Sequence, residues 1–337
     1  RKIFSGQQEN WESFIWDFSG MSRTCRRKKY FRNSRKKRCR KSHRIHSSQF
    51  MKKRKLISMV LAATLALTSL TGCGKKDSSS DDSVLRVGME CAYAPFNWSQ
   101  ETDELANGEK AVPIYGTNMY AYGYDVIVAE KLAKQMGKTL EIHKVEWDSI
   151  GMSLDAGDYD VIIAGMGRTK EREASYSFTD PYYYRTNCLV VKKGSGLEGI
   201  KGLSELAGKN VTLTTQLGTG WVNLLDQVPD ATLGANYETT AECFMAISNG
   251  TADVCVIDAP TAESAAMTND DLAIIYLDDN DKFVGDEEMT NVCIATRKDD
   301  TARRDEIQKA MDAIGWNDKA EMDKTMEEAV SLQPAAN

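Results

Sequence analysis

The sequence predicts an α/β protein of two lobes, each a parallel-type sheet flanked by helices, and three observations predict it. Short β-branched runs alternate with helical patterns in two separate series, one from Val84 to Ala164 and one from Asn210 to Tyr276; such alternation implies strands paired in parallel with helices packed on their faces. Both series contain the same junction: Leu154-Asp155-Ala156-Gly157-Asp158-Tyr159-Asp160-Val161 and Ile247-Ser248-Asn249-Gly250-Thr251-Ala252-Asp253-Val254 each place a glycine cap three residues before an Asp-Val pair. Each reads as a helix stopping at glycine and entering a buried strand. A length of 337 residues is also more than one core usually organises.

Residues 1–50 carry 15 Lys/Arg against 3 Asp/Glu, cluster them between Arg23 and Lys41, and begin with Arg1. A nucleic-acid arm is one reading of such a cluster. The preferred reading is an over-extended gene model, because a secretion signal follows. Met51-Lys52-Lys53-Arg54-Lys55 leads into the apolar stretch Leu56–Leu70 and then Thr71-Gly72-Cys73, the layout of a signal peptide over 51–72. The apolar stretch falls short of the roughly 20 residues a spanning helix needs. Leu70-Thr71-Gly72-Cys73 resembles the lipobox of bacterial lipoproteins, which implies that Cys73 is lipidated, becomes the mature N-terminus and holds the protein on the outer face of the membrane. Gly74–Ser83 is polar and aperiodic, a tether reaching at most about 33 Å.

In the first series we expect strands over Leu85–Met89, Leu140–Val145 and Tyr159–Ala164, with helices over Asp125–Met136 and after Trp147. In the second, strands fall at Asn210–Thr215, Val254–Ile257 and Leu272–Tyr276, with helices after Gly220, over Thr239–Ser248 and after Pro260. Amphipathic helices over Thr301–Ile314 and Asp318–Ser331 close the chain.

The net charge of -6 hides a segregation: residues 74–337 hold 24 Lys/Arg and 46 Asp/Glu. So acidic a body makes nucleic acid an unsuitable partner. Five cysteines remain there, Cys91, Cys188, Cys243, Cys255 and Cys293, too widely spaced for a zinc site and odd in number. They read as buried thiols, and no metal or cofactor is expected.

Three segments carry candidate chemistry. Ala164-Gly165-Met166-Gly167-Arg168-Thr169-Lys170-Glu171-Arg172 follows a strand and opens a helix, with Thr169 as N-cap; free N–H groups and the Arg172 guanidinium there suit a carboxylate, although a solvated surface arginine is the plainer reading. Gln216-Leu217-Gly218-Thr219-Gly220 again joins strand to helix, either as a close backbone approach to a ligand or as a tight turn. Asp258 ends an apolar strand and suits an ammonium group or an ordinary N-cap equally. A cationic clamp, N–H cradles and an anionic acceptor together complement a zwitterionic α-amino acid.

The ordered series Val84–Pro95 with Gly88, Tyr93-Ala94-Pro95-Phe96, Gly123-Tyr124-Asp125, Trp147-Asp148, Gly157-Asp158-Tyr159-Asp160 and Phe178-Thr179-Asp180-Pro181-Tyr182-Tyr183 resembles family 3 of the extracellular solute-binding proteins. The resemblance runs from Leu85 to the C-terminal helices. It implies a type II periplasmic-binding-protein-like fold with a two-crossing hinge near Arg185–Val190 and Met289–Ile294. Lobe 1 is then 84–186 with 292–337, and lobe 2 is 187–291. By the same resemblance Arg172 grips the ligand α-carboxylate and Asp258 its α-amino group. Tyr93 and Trp147 sandwich the side chain, Glu90 faces it, and Gly165, Thr219 and Gly220 offer backbone contacts; Gly167 and Gln216, in the same two segments, are further candidates for the ligand site. Read alone, Tyr93 and Trp147 are equally core aromatics and Glu90 a solvated strand end. Gly167 departs from the family's usual Ser or Thr, and the chain is longer than usual between Asn97 and Gly123, where an extra loop near the cleft is expected. The implied function is delivery of a polar amino acid to an ABC permease, as a monomer and without catalysis, with a lean to arginine, lysine or ornithine over glutamine. The alternative is an enzyme on the same fold, similar to cyclohexadienyl dehydratase.

Overall fold

The computed structural model describes residues 82–285 and 287–334. Residues 1–81, with the expected signal segment and Cys73, lie outside the described residues.

Fourteen strands are described: β1 (Val84–Met89), β2 (Ala92–Tyr93), β3 (Asn97–Gln100), β4 (Val112–Pro113), β5 (Tyr120–Tyr122), β6 (Thr139–Lys144), β7 (Val161–Ile162), β8 (Tyr176–Tyr184), β9 (Asn187–Lys192), β10 (Thr212–Thr214), β11 (Thr232–Leu233), β12 (Val254–Asp258), β13 (Leu272–Ile275) and β14 (Asn291–Arg297). The helices are α1 (Tyr124–Met136), α2 (Ile150–Ala156), α3 (Lys170–Ser175), α4 (Thr240–Asn249), α5 (Ala259–Thr268), α6 (Glu287–Thr290), α7 (Thr301–Ala313) and α8 (Lys319–Ser331).

Two five-stranded sheets repeat one plan. The first runs β6-β1-β7-β14-β8 and the second β11-β10-β12-β9-β13. In each, the first three strands are mutually parallel and the fourth runs antiparallel to both its neighbours, so that the fifth points the same way as the first three. The fourth strand, β14 or β9, is in both cases the one that has just crossed from the other sheet, which is why neither sheet is parallel throughout. Glycine explains the shared helix-to-strand junctions: Gly157 (φ 84°) and Gly250 (φ 76°) end α2 and α4 in the left-handed region, where a side chain is strained. The chain passes between sheets at Arg185-Thr186 and returns before Asn291, and the Arg185 amide donates to Thr290 O at 3.0 Å, tying the two crossings together.

Burial follows the strand pattern. Every residue of β12 is buried, as are the last three of β1; apolar area removed from water at roughly 25 cal/mol per Å² is the main stabilising term for such strands. Cys91, Cys188, Cys243, Cys255 and Cys293 are all buried free thiols.

Three expectations are corrected in detail. The segment after Gly220 is a 3₁₀ helix, Gly220–Gln227, that buries Trp221, Leu224 and Leu225 on one side. The strand expected over Tyr159–Ala164 pairs only at Val161–Ile162, because Gly165 (φ 61°) turns the chain out of the sheet. The extra residues 98–122 form no loop at the cleft. They build most of a separate antiparallel sheet, β2-β3-β5-β4, joined to the first sheet's edge by an Ile114–Ile142 bridge. Tyr122 is buried edge-on to Trp98, and Tyr115, 62% exposed, stacks on His143.

Candidate functional site

The loops that leave the C-terminal ends of β1, β6, β7 and β10 converge, as ligand-bearing loops do in open α/β sheets. They bring Glu90, Tyr93, Trp147, Gly165, Gly167, Arg172, Gln216 and Thr219 around one small cavity, with Ala164, Arg185, Trp221 and Met289 completing its wall. Its volume is about 10 Å³, roughly the space of one water. The two lobes therefore meet closely here.

A buried hydrogen-bond chain sets the first-lobe side. Asn97 Oδ1 accepts from the Cys91 amide at 2.7 Å, and Asn97 Nδ2 donates to Asp125 Oδ2 at 2.7 Å. Tyr182 donates to Asp125 Oδ1 at 2.6 Å and accepts from the Gly165 amide at 2.9 Å. Asp125 thus couples the Glu90–Tyr93 loop to the Gly165 turn, and its burial, against these donors, pushes its carboxyl up to about 6. The Gly165 amide is consequently engaged rather than free to cradle a ligand. A Cβ at Gly165 would stand 2.5 Å from the Tyr93 ring, so glycine lets that ring lie against the turn, stacked on Phe96 at 4.9 Å.

Arg172 lies in the first turn of α3, whose N-cap is Thr169: Thr169 Oγ1 accepts from the Arg172 amide at 3.1 Å. Its guanidinium is held 5.2 Å from the centroid of the Trp147 ring and donates to Gly167 O at 2.9 Å and, across the cleft, to Gly218 O at 3.4 Å. Trp147 donates to the same Gly218 carbonyl at 3.3 Å. Burial, then the nearby Arg185 charge, lowers Arg172 to about 10, so it remains cationic at neutral pH. Gly167 has a steric reason for lacking a side chain: a Cβ there would stand 2.7 Å from Glu288 O.

Elsewhere in the cavity wall, Gln216 Nε2 donates to both Glu90 oxygens at 3.2 and 3.3 Å and also to Glu238 O at 3.0 Å. Glu90 is 2% exposed, and burial pushes its carboxyl up to about 7. It is not a solvated strand end. Thr219 turns its hydroxyl back to Gln216 O at 2.7 Å.

Two expected residues stand apart from the small cavity. Gly220 lines a wider neighbouring cavity of about 520 Å³, beside Lys170, Ser175 and Asn223. Asp258 is fully buried behind Tyr93. One of its oxygens caps α5 by accepting from the Thr261 amide at 3.0 Å, and the other accepts from the Tyr93 hydroxyl. Its N-cap role and its place beside the site hold together, one oxygen for each.

Arg185, which the sequence marks only as part of a crossing, is a further residue of the site. It is 4% exposed and lies within 4.8 Å of the Trp221 ring centroid. Its Nε donates to Met289 O at 2.7 Å, and its Nη1 donates to Tyr93 Oη at 2.8 Å and Gly165 O at 2.9 Å. A charge set between the aromatic run Tyr182–Tyr184 and the apolar run Cys188–Val191 is the available signal. Met289 and Trp221 carried none.

Two like-built α/β lobes, two crossings and a cleft walled by loops from both define a protein that closes around a small solute. The chain belongs to the bacterial extracellular solute-binding proteins, family 3, whose model matches residues 85–327. It is 27% identical over 275 residues to the arginine-binding extracellular protein ArtP of Bacillus subtilis, covering 79% of this chain and 94% of that one. It is also 27% identical to the L-cystine-binding protein TcyJ of Escherichia coli, over 65% and 76% of the two chains. Among solved structures, an ancestral amino acid-binding protein described as a precursor of cyclohexadienyl dehydratase matches with a TM-score of 0.57 and 26% identity, covering 74% of this chain and 96% of that one.

Proposed function

We propose that this protein is the extracytoplasmic substrate-binding component of an ABC importer for an amino acid. The observation that carries this reading is Arg172, a half-buried guanidinium stacked on Trp147 whose recorded side-chain contacts are two carbonyls, Gly167 O and Gly218 O, one on each side of the cleft. A ligand carboxylate replaces those carbonyls with a bidentate charge-assisted pair. Asp258 receives the α-ammonium once the Tyr93 hydroxyl swings away, while Tyr93 and Trp147 flank the side chain and Glu90 and Gln216 face it. Gly165, Gly167, Thr219 and Gly220 let backbone approach the ligand. Lobe 1 comprises 84–186 with 292–337 and lobe 2 comprises 187–291, moving about the paired crossings. Ligand contacts made with both lobes favour the closed form that a permease reads.

In this reading the protein acts as a monomer, tethered to the outer face of the membrane by a lipid on Cys73, and residues 1–50 are absent from the natural product. Cys73→Ser leaves an unprocessed precursor or a released form; an unchanged membrane fraction refutes the anchor. A thermal-shift screen of the twenty amino acids with ornithine and citrulline, followed by calorimetry, tests the function, and silence from all of them defeats it. One observation favours the dehydratase alternative: Glu90, buried in the cleft with a carboxyl pushed up to about 7, has the character of a general acid. Incubation with prephenate at neutral pH decides it, since formation of phenylpyruvate faster than in a protein-free control, and lost in Glu90→Gln, is the outcome only an enzyme delivers.

A further inference from the structure

Arg172, half-buried, is not the site's only cation. Arg185 lines the same cavity from the crossing side, sealed from solvent between Phe96 and Trp221. The acceptors recorded for it are neutral: two backbone carbonyls and the Tyr93 hydroxyl. Among the described residues no carboxylate forms an ion pair with either guanidinium; Asp258 lies one group further away, behind Tyr93. Taking a guanidinium out of water without a counter-ion is costly, and removing its charge is the usual escape for other cations but not for arginine. The two arginines also repel, since the Arg185 charge contributes to lowering Arg172. The cavity wall thus holds two guanidinium groups and one acid, Glu90, whose carboxyl burial pushes up to about 7, while the buried Asp258 and Asp125 lie behind the wall and reach Arg185 only through intervening groups.

Resting on the amino-acid reading above, we propose that Arg185 sets the side-chain specificity of the site by pairing with a second carboxylate, so that the ligand class is an amino acid with an acidic side chain. Arg172 takes the α-carboxylate and Arg185 the side-chain carboxylate. The ligand then supplies both missing counter-charges. A lysine, ornithine or arginine side chain would instead bring a third cation into a space walled by Arg185, with only Glu90 to offset it.

Isosteric pairs separate charge recognition from fit. Calorimetry on the full chain with L-glutamate against L-glutamine, and L-aspartate against L-asparagine, should show the acid of at least one pair bound more than about tenfold tighter, as expected for one charge-assisted bidentate contact. Arg185→Gln should abolish that preference by weakening the acid about tenfold more than its amide, and Arg185→Lys should retain part of it. A purely structural arginine would weaken both members of a pair alike, and that result overturns the inference. So does a wild-type preference for arginine, lysine or ornithine over every acid, or the absence of any acid-amide difference. If no amino acid binds the wild type, the amino-acid reading itself fails, a result distinct from binding with the wrong side-chain preference.

Discussion

Arg172 and Glu90 line the same pocket, one charged at neutral pH and the other with its carboxyl pushed up to about 7, and the same cause acts on both. Burial penalises the charged form of each. Arginine starts so far above neutral pH that lowering to about 10 leaves it cationic, whereas Glu90 arrives near 7. Removing the guanidinium leaves a bound carboxylate without a partner, so Arg172→Ala should cost about 3–5 kcal/mol, more than a hundredfold in affinity by calorimetry. Arg172→Lys should also fail substantially because an ammonium lacks the planar fork. For Glu90 the folded-state pKa lies above its ordinary value, so the folded protein holds this proton more tightly than the unfolded chain. Its stabilising contribution is therefore full below about pH 4.5 and is lost as pH rises toward 7. Glu90→Gln, which keeps an oxygen for Gln216, should raise the stability of the ligand-free protein by about 2–3 kcal/mol near pH 8 and by less than about 1 kcal/mol near pH 5. Urea titrations at the two pH values check this, and an equal gain at both would show that the charge is not responsible.

At the scale of elements, the site depends on how strands end and helices begin. Gly123 precedes α1 with φ 126°, and a Cβ there would stand 2.5 Å from Phe96 O, a backbone atom that cannot yield locally. Gly123→Ala should therefore cost at least about 2 kcal/mol in denaturant unfolding and weaken ligand binding, since it displaces Asp125 and the loop bearing Tyr93. The second lobe offers a milder comparison. Thr239 and Glu242 form a reciprocal capping box at the start of α4, and Thr239→Ala should cost about 1 kcal/mol with little change in affinity. The contrast between the two variants separates elements that merely support a lobe from those that aim its loops.

For the whole molecule, closure is the function, and it is measurable without naming the ligand's contacts. Ligand at about a hundred times its Kd should stabilise the protein by about 2.7 kcal/mol, raising Tm by roughly 5–10 °C. Small-angle scattering should show the radius of gyration falling on ligand addition, because the bound solute favours the closed arrangement. Arg172→Ala should lose both responses under the same conditions. A ligand that raises Tm while leaving the scattering unchanged would mean that the lobes do not part in solution.

Local pattern alone determined much of this protein. The two βαβα series, the paired Gly-x-x-Asp-Val junctions, the Thr169 and Thr239 caps and the loops bearing Arg172 and Gln216 depend on periodicity and on backbone rules that act within a few residues, so they were legible before any coordinates. Eight of the ten expected ligand residues then share one cavity. What tertiary structure decided involves partners far apart in the chain. Asp258 meets Tyr93 across 165 positions and Arg185 meets Met289 across 104, separations over which no periodicity speaks. Residues 98–122 pack as strands beside the edge strand β6 rather than at the cleft, a placement made through the long-range Ile114–Ile142 bridge. Arg185 is the clearest case: its sequence position marks a crossing, but only the folded chain surrounds it with carbonyls and aromatic rings instead of a carboxylate, and that environment makes its charge a question of function.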